Sequence, residues 1–191
     1  MSKLMWKPGT MLYPVPSVMV SCRNAQGENN IITIAWTGII CSDPAMLYIS
    51  VRPERHSYDM IKETGEFVVN IPNSKLAFAT DFCGVKSGRS INKFMHLKLT
   101  PAKANLVAAP YIDECPVNLE CKVKDIIKLG THDMFIAEIM CVNVDDSLLD
   151  SKGKLHLNKA DLICYSHGEY KSLAKSLGTF GYSVKKKTTK K

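Results

Sequence analysis

Two arginines, a serine and a helix start occur together in the segment Ser50–Ser57, and this combination suits a phosphate group. The segment follows an apolar run that predicts a strand, and it leads into a helical pattern. Free N–H groups at a helix N-terminus, the positive end of the helix dipole and the guanidinium groups of Arg52 and Arg55 all favour a bound phosphate. Alternatively, Ser57 only caps the helix and both arginines are solvated.

A second segment, Cys83–Ser90, combines small residues with Ser87 and Arg89, and Lys93 follows closely. Glycines such as Gly88 let the backbone approach a ligand, while serine, arginine and lysine supply hydrogen-bond donors. A plain surface turn would need the same residue types and no ligand. The interpretation of Cys83–Ser90 as an anion site is weak by itself, and the presence of Ser50–Ser57 in the same chain strengthens it.

Two further segments could hold a flat, aromatic ligand. In Asn30–Thr37, the indole of Trp36 could lie beside such a ring while strand amides donate hydrogen bonds to it. His132 falls at the predicted tip of a long hairpin, where loops often carry binding residues. A strand tryptophan is more often a core residue, however, and a tip histidine is more often merely exposed.

Several well-known sites are missing from the sequence. The eleven glycines form neither a dinucleotide-binding fingerprint nor a P-loop, and no serine lies in the motif of a hydrolase nucleophile. The histidines are too widely spaced for a local metal site, and the seven cysteines include no Cys-x-x-Cys pair. We therefore expect reduced thiols, most of them buried, in a cytoplasmic protein.

The composition is typical of one globular domain. The 191 residues are 46% hydrophobic and 23% charged, and no apolar run is long enough for a membrane span. Of the net charge of +7, five lysines in residues 185–191 account for five units, which leaves +2 for residues 1–184. We expect one domain over residues 1–184, a disordered Lys-rich tail over 185–191, no signal peptide and no membrane partner.

Short strands separated by turn signals dominate the first part of the chain. Ser17–Cys22, Ile31–Thr37 and Met46–Val51 are predicted to be neighbouring antiparallel strands. After Pro53 the period becomes helical, and Gly65 supplies a stop signal. This order of elements does not follow the βαβ alternation of a parallel sheet.

Later segments continue the pattern of strands with a few inserted helices. We predict strands at Glu66–Ile71, Val117–Leu129 and Phe135–Val144, and helices at Lys75–Phe82 and Glu169–Ser176. Leu162–Tyr165 is only a short apolar piece with no assigned element. The two long strands around Gly130 form a hairpin of the kind that closes barrels. The sequence therefore favours a mainly β protein built as a small antiparallel barrel with inserted helices.

Taken in order, these segments resemble the flavin reductase-like, FMN-binding split-barrel family, and more closely its flavoredoxin-type members. The resemblance covers about residues 10–180 and also includes Ser42-Asp43-Pro44, Phe67–Pro72, Lys93-Phe94 and the stretch from Gly130 to Glu138. No single motif is diagnostic, but their co-linear run is specific. The resemblance implies a split β-barrel of antiparallel, Greek-key type and a homodimer that holds FMN in a groove near the subunit interface.

The resemblance also implies which residues surround the flavin. These are Asn30, Ala35, Trp36, Thr37, Val51, Arg52, Arg55, Ser57, Cys83, Ser87, Gly88, Lys93, His132 and Tyr165. Asn30 and Trp36 would lie at the flavin, and Ser57, helped by the two arginines, would take the phosphate. Lys93 would stabilise negative charge on the reduced ring. His132 and Tyr165 would complete the pocket, and they could come from different subunits.

The implied function is that of an FMN-dependent oxidoreductase, in which the flavin ring carries the electrons and no side chain acts as an acid, base or nucleophile. Two versions remain open: a reductase that accepts electrons from NADH or NADPH, and a flavoredoxin-like carrier that accepts them from a redox protein. A barrel that binds nucleic acid through its basic tail is less favoured, because only 8% of residues are aromatic and the body carries little charge. A scaffold without a cofactor is a third alternative.

Overall fold

The structure is a computed structural model that describes residues 1–185. It has twelve strands, which are β1 (Val15–Pro16), β2 (Val18–Arg23), β3 (Asn29–Ile34), β4 (Thr37–Ser42), β5 (Ala45–Val51), β6 (Glu66–Ile71), β7 (Pro101–Ala102), β8 (Tyr111–Ile112), β9 (Val117–Lys128), β10 (Asp133–Val144), β11 (Ile163–Ser166) and β12 (Glu169–Ser172). The helices are α1 (His56–Thr64), α2 (Ala77–Val85) and α3 (Lys93–Leu97). The predicted tail lies outside the described residues beyond Lys185.

Seven strands form one antiparallel sheet in the order β3-β2-β6-β9-β10-β5-β4. Its two edge strands, β3 and β4, are consecutive in the chain and are separated only by Ala35 and Trp36. Because three peptide steps span at most about 11 Å, the end of one edge strand must lie near the start of the other. The sheet therefore curls into a barrel whose edges meet without pairing, and the predicted mainly β split barrel is confirmed.

Two smaller antiparallel sheets complete the described strands. The first has the order β1-β11-β12 and pairs Val15 with Tyr165, so it joins residues before the barrel to residues after it. The second consists of β7 and β8 alone. No helix in residues 1–185 is long and apolar enough to cross a membrane.

The barrel interior is filled by side chains from one face of each strand and from α1. On β2 the alternate residues Val18, Val20 and Cys22 point to this core, as the period of two along a strand requires. Helix α1 adds Tyr58 and Ile61 to the same core. Since fully burying one such side chain contributes about 1.5–3 kcal/mol, this packing fixes α1 against the barrel.

The opposite face of β2 and β3 has its own apolar core, which holds the other two helices. Met19 and Ile31 pack there against Cys83 of α2 and Phe94 of α3. The loop between these helices is thereby held over the start of β3. This second core brings the segment after Cys83 close to the segment that begins at Asn30.

The long hairpin is confirmed. Strands β9 and β10 pair from Val117 opposite Val144 to Lys128 opposite Asp133. Irregularities in the register occur after Ile136 and after Ile139, and such bulges increase the local twist and bend of a strand. This hairpin supplies two neighbouring strands of the barrel and carries the loop at its tip across the open seam.

The strand predicted at Ile31–Thr37 is right as far as Ile34 and wrong beyond it, because the chain leaves β3 after Ile34 and begins β4 only at Thr37. The predicted neighbourhood of the first three strands is also wrong in part. Strand β2 pairs with β3, but β5 pairs with β4 and β10. The apolar pattern runs on through Ala35 and Trp36, so it does not reveal the crossing between the sheet edges.

The helix predictions need three corrections. The helix predicted at Lys75–Phe82 begins only at Ala77 and continues through Gly84 to Val85. The missing side chain of Gly84 lets the helix pack closely on Thr33, whose Cβ would stand 3.3 Å from an added Cβ. Helix α3 was not predicted at all. The helix predicted at Glu169–Ser176 is wrong: Glu169–Ser172 is a strand, and His167 and Gly168 form the turn before it with φ of 48° and 91°.

A buried carboxylate fastens a surface loop onto the hairpin. The side chain of Glu120 on β9 is fully buried and accepts hydrogen bonds from the backbone N–H groups of Asn105 and Leu106 at 2.9 and 2.6 Å and from Asn143 Nδ2 at 2.8 Å. Burial alone would raise the pKa of Glu120, but these hydrogen bonds outweigh it and lower that pKa below its ordinary value. The ionised form is therefore the one that stabilises the fold.

Replacing Glu120 by glutamine should lower the free energy of unfolding at neutral pH by about 2 kcal/mol or more, because an amide N–H₂ group would face backbone donors. The pKa is lower in the folded protein, so the carboxylate contributes stability above its unfolded pKa, and this contribution is lost as the pH falls through the folded pKa. The deficit of Glu120→Gln should therefore shrink in acid. Urea unfolding at several pH values measures it, with the exposed Glu63→Gln as control; an equal deficit at all pH values would contradict the assignment.

Candidate functional site

Three adjoining cavities form a continuous groove along the open seam of the barrel. The first, here called the basic cavity, has a volume of about 330 Å³ and lies at the start of α1. The strand cavity, of about 160 Å³, lies along the ends of β3 and β5, and the apolar cavity, of about 570 Å³, lies below the hairpin tip. Shared lining residues connect them: Arg55 joins the first to the second, and Trp36 joins the second to the third.

The basic cavity carries an excess of positive charge. Its cationic lining residues are Arg55, Lys86, Arg89 and Lys93, against one lining carboxylate, that of Glu54. Charges of one sign in a concave site concentrate ions of the opposite sign there. The first cavity is therefore suited to an anion.

The start of α1 adds unpaired donors to the same cavity. Among the described residues, the backbone N–H groups of His56 and Ser57 have no hydrogen-bond partner, and the cap residue Arg55 offers no side-chain acceptor to the helix. Ser57 is buried as the second helical residue and does not cap the helix. Together with the helix dipole, these free N–H groups favour a negatively charged ligand.

Asn30 and Gly88 set the shape of the basic cavity. Asn30 is buried at the start of the barrel seam, and its Nδ2 donates to Ser57 Oγ at 2.8 Å. Gly88 lies so close that a Cβ on it would stand 2.6 Å from Cγ of Asn30. Only a glycine allows the loop after α2 to approach the Asn30 amide. The backbone of this loop at Gly88 therefore forms part of the wall of the basic cavity. Ser87 lies beside it and accepts from the N–H of Arg89 at 3.2 Å.

Lys93 is a buried cation without a carboxylate partner among the described residues. Its Nζ donates to the carbonyl oxygens of Ile31 at 2.6 Å and Cys83 at 2.9 Å, which leaves one of its three donors unused. Burial lowers the pKa of Lys93, as expected for a desolvated ammonium group. An anion in the basic cavity would relieve this cost. Lys93 lines this cavity and not the strand cavity.

Cys83 also lines the basic cavity, but its thiol is not poised for reaction. Burial raises the pKa of Cys83 to about 11, although the charge of Lys93 acts in the opposite direction. The group therefore stays a neutral thiol at neutral pH. All seven cysteines are free, and Cys22, Cys115 and Cys121 are buried like Cys83.

The strand cavity is narrow and is bounded by backbone. Ala35 and Trp36 form one side, Val51 and Arg52 form the other, and His132 lies at one end. Trp36 is only partly buried and so is not a core residue. A flat ring would fit between these strand ends with the indole beside it. Arg52 faces this cavity rather than the basic one and pairs with Glu54 at 3.1 Å on the surface.

His132 is held at the hairpin tip in its neutral form. Burial and the nearby Arg52 lower the pKa of His132. Its neighbour Asp133 is buried and accepts a 2.6 Å hydrogen bond from Tyr58 Oη, and this bond raises the pKa of Tyr58 to about 12. This contact ties the tip beside His132 to α1, which begins at the basic cavity.

The apolar cavity differs from the other two in charge. Its walls include Met11 and Leu12 of the N-terminal segment and Leu129 and Met134 of the hairpin, and no Asp, Glu, Lys or Arg side chain lines it. Thr37 also lines it, but its Oγ1 already donates to Tyr48 O at 2.6 Å. The third cavity is therefore suited to an uncharged occupant.

Tyr165 is the one predicted residue that the chain does not bring to the groove. It lines none of the three cavities and packs against Tyr13 at a ring distance of 5.9 Å. Tyr13 in turn lies 6.3 Å from the ring of Trp36. Tyr13 thus packs between Tyr165 and Trp36. The sequence around Tyr13 contains no motif that predicts these contacts.

The other predicted residues all line the groove, and the structure adds three that the predicted set of flavin contacts does not contain. His56, Lys86 and Arg89 line the basic cavity, and Arg89 Nη1 donates to Glu54 O at 3.0 Å. Arg89 is the arginine of the candidate anion segment Cys83–Ser90, and Lys86 lies in the same segment, so the charge of Lys86 is a usable signal as well. His56 directly precedes Ser57, and only the fold shows that its side chain reaches the cavity.

Comparisons with known proteins agree with this geometry. The flavin reductase like domain matches residues 10–174. The flavoredoxin of Desulfovibrio vulgaris (Miyazaki F) has a TM-score of 0.90 and 33% identity, covering 96% of this chain and 100% of that one. A flavoredoxin from Methanosarcina acetivorans has a TM-score of 0.86 and 26% identity, covering 97% and 100%.

A relative in Pseudomonas syringae pv. syringae (strain B728a) carries the name FMN reductase (NADH). It is 24% identical over 137 residues, which are 70% of this chain and 68% of that protein. The domain match spans most of the chain, and the predicted resemblance is therefore confirmed. The chain belongs to the flavin reductase like family, a flavin-binding family whose fold it shares throughout the barrel and groove.

Proposed function

We propose that the groove binds FMN, with the phosphate in the basic cavity and the flavin ring along the strand cavity. The observation that carries this proposal is Lys93, a buried ammonium without a carboxylate partner, facing a cavity that also receives free N–H groups of α1. A dianionic phosphate would compensate that charge and accept those donors. The FMN named in the Pseudomonas syringae relative adds support.

The protein's own residues would bind and orient the cofactor. Ser57 and Ser87 would donate to the phosphate, Gly88 would bring its backbone close, and Trp36 would lie beside the ring. Bound FMN would supply the redox chemistry by accepting and passing on electrons. The cations nearest the ring would be Arg52 and Arg55, which line the strand cavity, while Lys93 would act from the phosphate end.

We also propose that two copies of this chain form a homodimer. Tyr165 lies outside its own chain's groove, so it would contribute to a flavin site only across a subunit interface. The edge strand β4 next to the groove exposes the side chains of Ile39 and Ile40 by 66% and 47%. Burying these apolar side chains against a second copy would be favourable. A cytoplasmic location and the absence of nucleic-acid partners stay predictions.

Two versions of the redox function fit the groove. In the first, NADH or NADPH reduces the flavin, in agreement with the name of the Pseudomonas syringae relative. In the second, the protein is an electron carrier that exchanges electrons with another redox protein, in agreement with the two flavoredoxins. We propose the reductase as the primary function because the uncharged cavity beside Trp36 and His132 leaves room for a neutral group at the ring.

Replacing Gly88 by alanine should weaken FMN binding by about tenfold or more, equivalent to 1.4 kcal/mol. The added Cβ would collide with the Asn30 amide and displace the hydrogen bond to Ser57. Calorimetric titration of the apoprotein with FMN measures the change. Ser90→Ala, in the same exposed loop but outside the basic cavity, is the matched control, and equal FMN affinity in both variants would contradict the assignment.

Replacing Lys93 by methionine should weaken FMN binding by about tenfold to a hundredfold, because one charge-assisted contact of about 1.5–3 kcal/mol is lost. The stability of the apoprotein should change little, since methionine removes the cost of burying an ammonium group but also leaves the carbonyl oxygens of Ile31 and Cys83 without this donor. Titration with FMN and thermal unfolding test the two statements. The comparison is Lys86→Met, an exposed cation of the same cavity. Unchanged FMN affinity and midpoint potential in Lys93→Met would refute the role.

Anaerobic stopped-flow mixing of the FMN-loaded protein with NADH or NADPH decides between the two redox versions. We expect the flavin absorbance to bleach with at least one of the two nucleotides, at a rate that saturates with nucleotide concentration. Dithionite provides the control for a reducible flavin. If dithionite bleaches the flavin and neither nucleotide does, the reductase version is wrong and the electron carrier remains.

A further inference from the structure

Helix α2 carries a second apolar stripe that faces away from the barrel. On its inner side, Ala79 and Cys83 are buried in the core behind β2 and β3. Phe78, Phe82 and Val85 follow one another at spacings of four and three residues, so they share one face of the helix. Phe78 and Val85 are 73% and 67% exposed. A helix that packed only on its own barrel would place polar residues on this outer face.

Helix α3 extends this stripe into a continuous surface. The ring of His96 stacks on that of Phe82 at 4.7 Å, and the ring of Phe78 lies 6.2 Å from Phe82 on the same helix. Met95, next to His96, is 78% exposed. We call the surface formed by Phe78, Phe82, Val85 and Met95 the helical patch. Exposed apolar patches with polar rims mark interaction sites.

Lysines border the helical patch. Lys75, Lys86 and Lys98 each stand three or four residues from one of its members, which is about one helical turn. All three are exposed, and none forms a salt bridge within residues 1–185. Asp81, the one carboxylate of α2, lies beside Tyr170, where burial and Asp81 together raise the pKa of Tyr170 to about 12. An apolar centre with a net positive rim complements an acidic protein surface.

A second copy of this chain is a poor occupant for the helical patch. Two copies that met through the same face would bring lysines against lysines, and like charges across an interface are unfavourable. The homodimer proposed above instead uses β4, where Ile39 and Ile40 are exposed. The helical patch therefore suits a different protein that carries negative charge.

Helix α2 also places the helical patch close to the strand cavity. Thr33 lines that cavity, and its Oγ1 donates a hydrogen bond to Thr80 O on the inner side of α2. A Cβ added to Gly84 would stand 3.3 Å from the Cβ of Thr33. The patch is therefore separated from the proposed position of the flavin ring by little more than the thickness of one helix, about 10 Å.

We propose that the helical patch docks an acidic redox protein that accepts electrons from the reduced flavin. Apolar contacts would form the centre of the interface, and carboxylates of the partner would lie against Lys75, Lys86 and Lys98. Each docking event would pass one electron to the partner's metal centre, so two events would reoxidise the flavin, which releases its protons to water. This inference rests on the proposed function, because that function places the ring in the strand cavity. It names the class of electron acceptor, which both redox versions leave open.

Stopped-flow oxidation of the reduced, FMN-loaded protein tests the charge of the partner. The two probes are plastocyanin, a copper protein with an acidic surface, and cytochrome c, a haem protein with a basic one. Raising the ionic strength from about 0.01 M to 1 M shortens the Debye length from about 30 Å to about 3 Å. The second-order rate constant with plastocyanin should then fall by about tenfold or more, and that with cytochrome c should not fall. A plastocyanin rate that does not depend on salt would overturn the proposal.

Charge reversal tests where the acidic protein docks. The double variant Lys75→Glu/Lys98→Glu changes two exposed lysines of the rim, and neither lines the three groove cavities. The matched control Lys152→Glu/Lys154→Glu makes the same change of net charge in another exposed segment. At low salt the first variant should lower the plastocyanin rate constant about fivefold more than the control does, and both should keep FMN affinity within about twofold. Equal effects of the two variants would contradict the placement.

The variant Phe78→Ser removes apolar surface from the helical patch without a change of charge. It should lower the plastocyanin rate constant by about threefold or more, because the centre of the interface loses a buried aromatic side chain, and sedimentation should show an unchanged oligomeric state. A change of oligomeric state would mean that a second copy covers the patch, which refutes the docking proposal. If the unsubstituted protein does not bind FMN, the proposed function itself is wrong. If the bound flavin is reduced by dithionite and only the salt and variant effects are missing, the docking surface alone is wrong.

Discussion

The groove depends on one constraint, the two-residue connection between the edge strands of the large sheet. Ala35 and Trp36 must carry the chain from β3 to β4, although these strands lie at opposite ends of a seven-stranded order. A connection this short forces the sheet to curl until its edges meet. The two edges meet without pairing, so the barrel is split and the strand ends line a narrow cavity. Trp36 lies at the seam for the same reason.

Electrostatics distinguishes the two ends of the groove. At one end a buried ammonium, two arginines and the free N–H groups of α1 face a small cavity, and at the other end no ionic side chain lines the wall. Helix α1 connects the ends, because its N-terminus opens on the basic cavity and its Tyr58 holds Asp133 beside the hairpin tip. The position of the helix is fixed by the barrel core. A shift of α1 would therefore disturb the anion site and the tip together.

The packing of α2 and α3 explains why residues far apart in the chain meet. Met19 and Ile31 on the outer face of the barrel bury Cys83 and Phe94, and this contact brings the glycine loop to Asn30. Gly84 and Gly88 then permit approaches that a larger residue would prevent, the first toward Thr33 and the second toward Asn30. These close contacts are tertiary, and neither glycine has an unusual φ that a local turn pattern would require.

Much of the protein follows from its sequence alone. Short apolar runs between turn signals predicted β2 and β6, and the alternation of apolar and polar residues along Val117–Leu129 predicted the first strand of the long hairpin. The co-linear motifs identified the family. Local sequence patterns gave wrong predictions where contacts between distant residues determine the structure. The apolar run through Trp36 concealed the crossing between the sheet edges. Gly84, a residue type that usually ends helices, lies within α2.

The candidate site likewise has features that the sequence predicts and features that only tertiary contacts decide. The sequence supplied its residue types, but only the tertiary structure decided that Lys93 is buried without a carboxylate, that His56 reaches the cavity, and that Tyr165 stays outside its own groove. The physical reason is that burial, unpaired charge and cavity shape arise from contacts between distant segments, which no local spacing encodes.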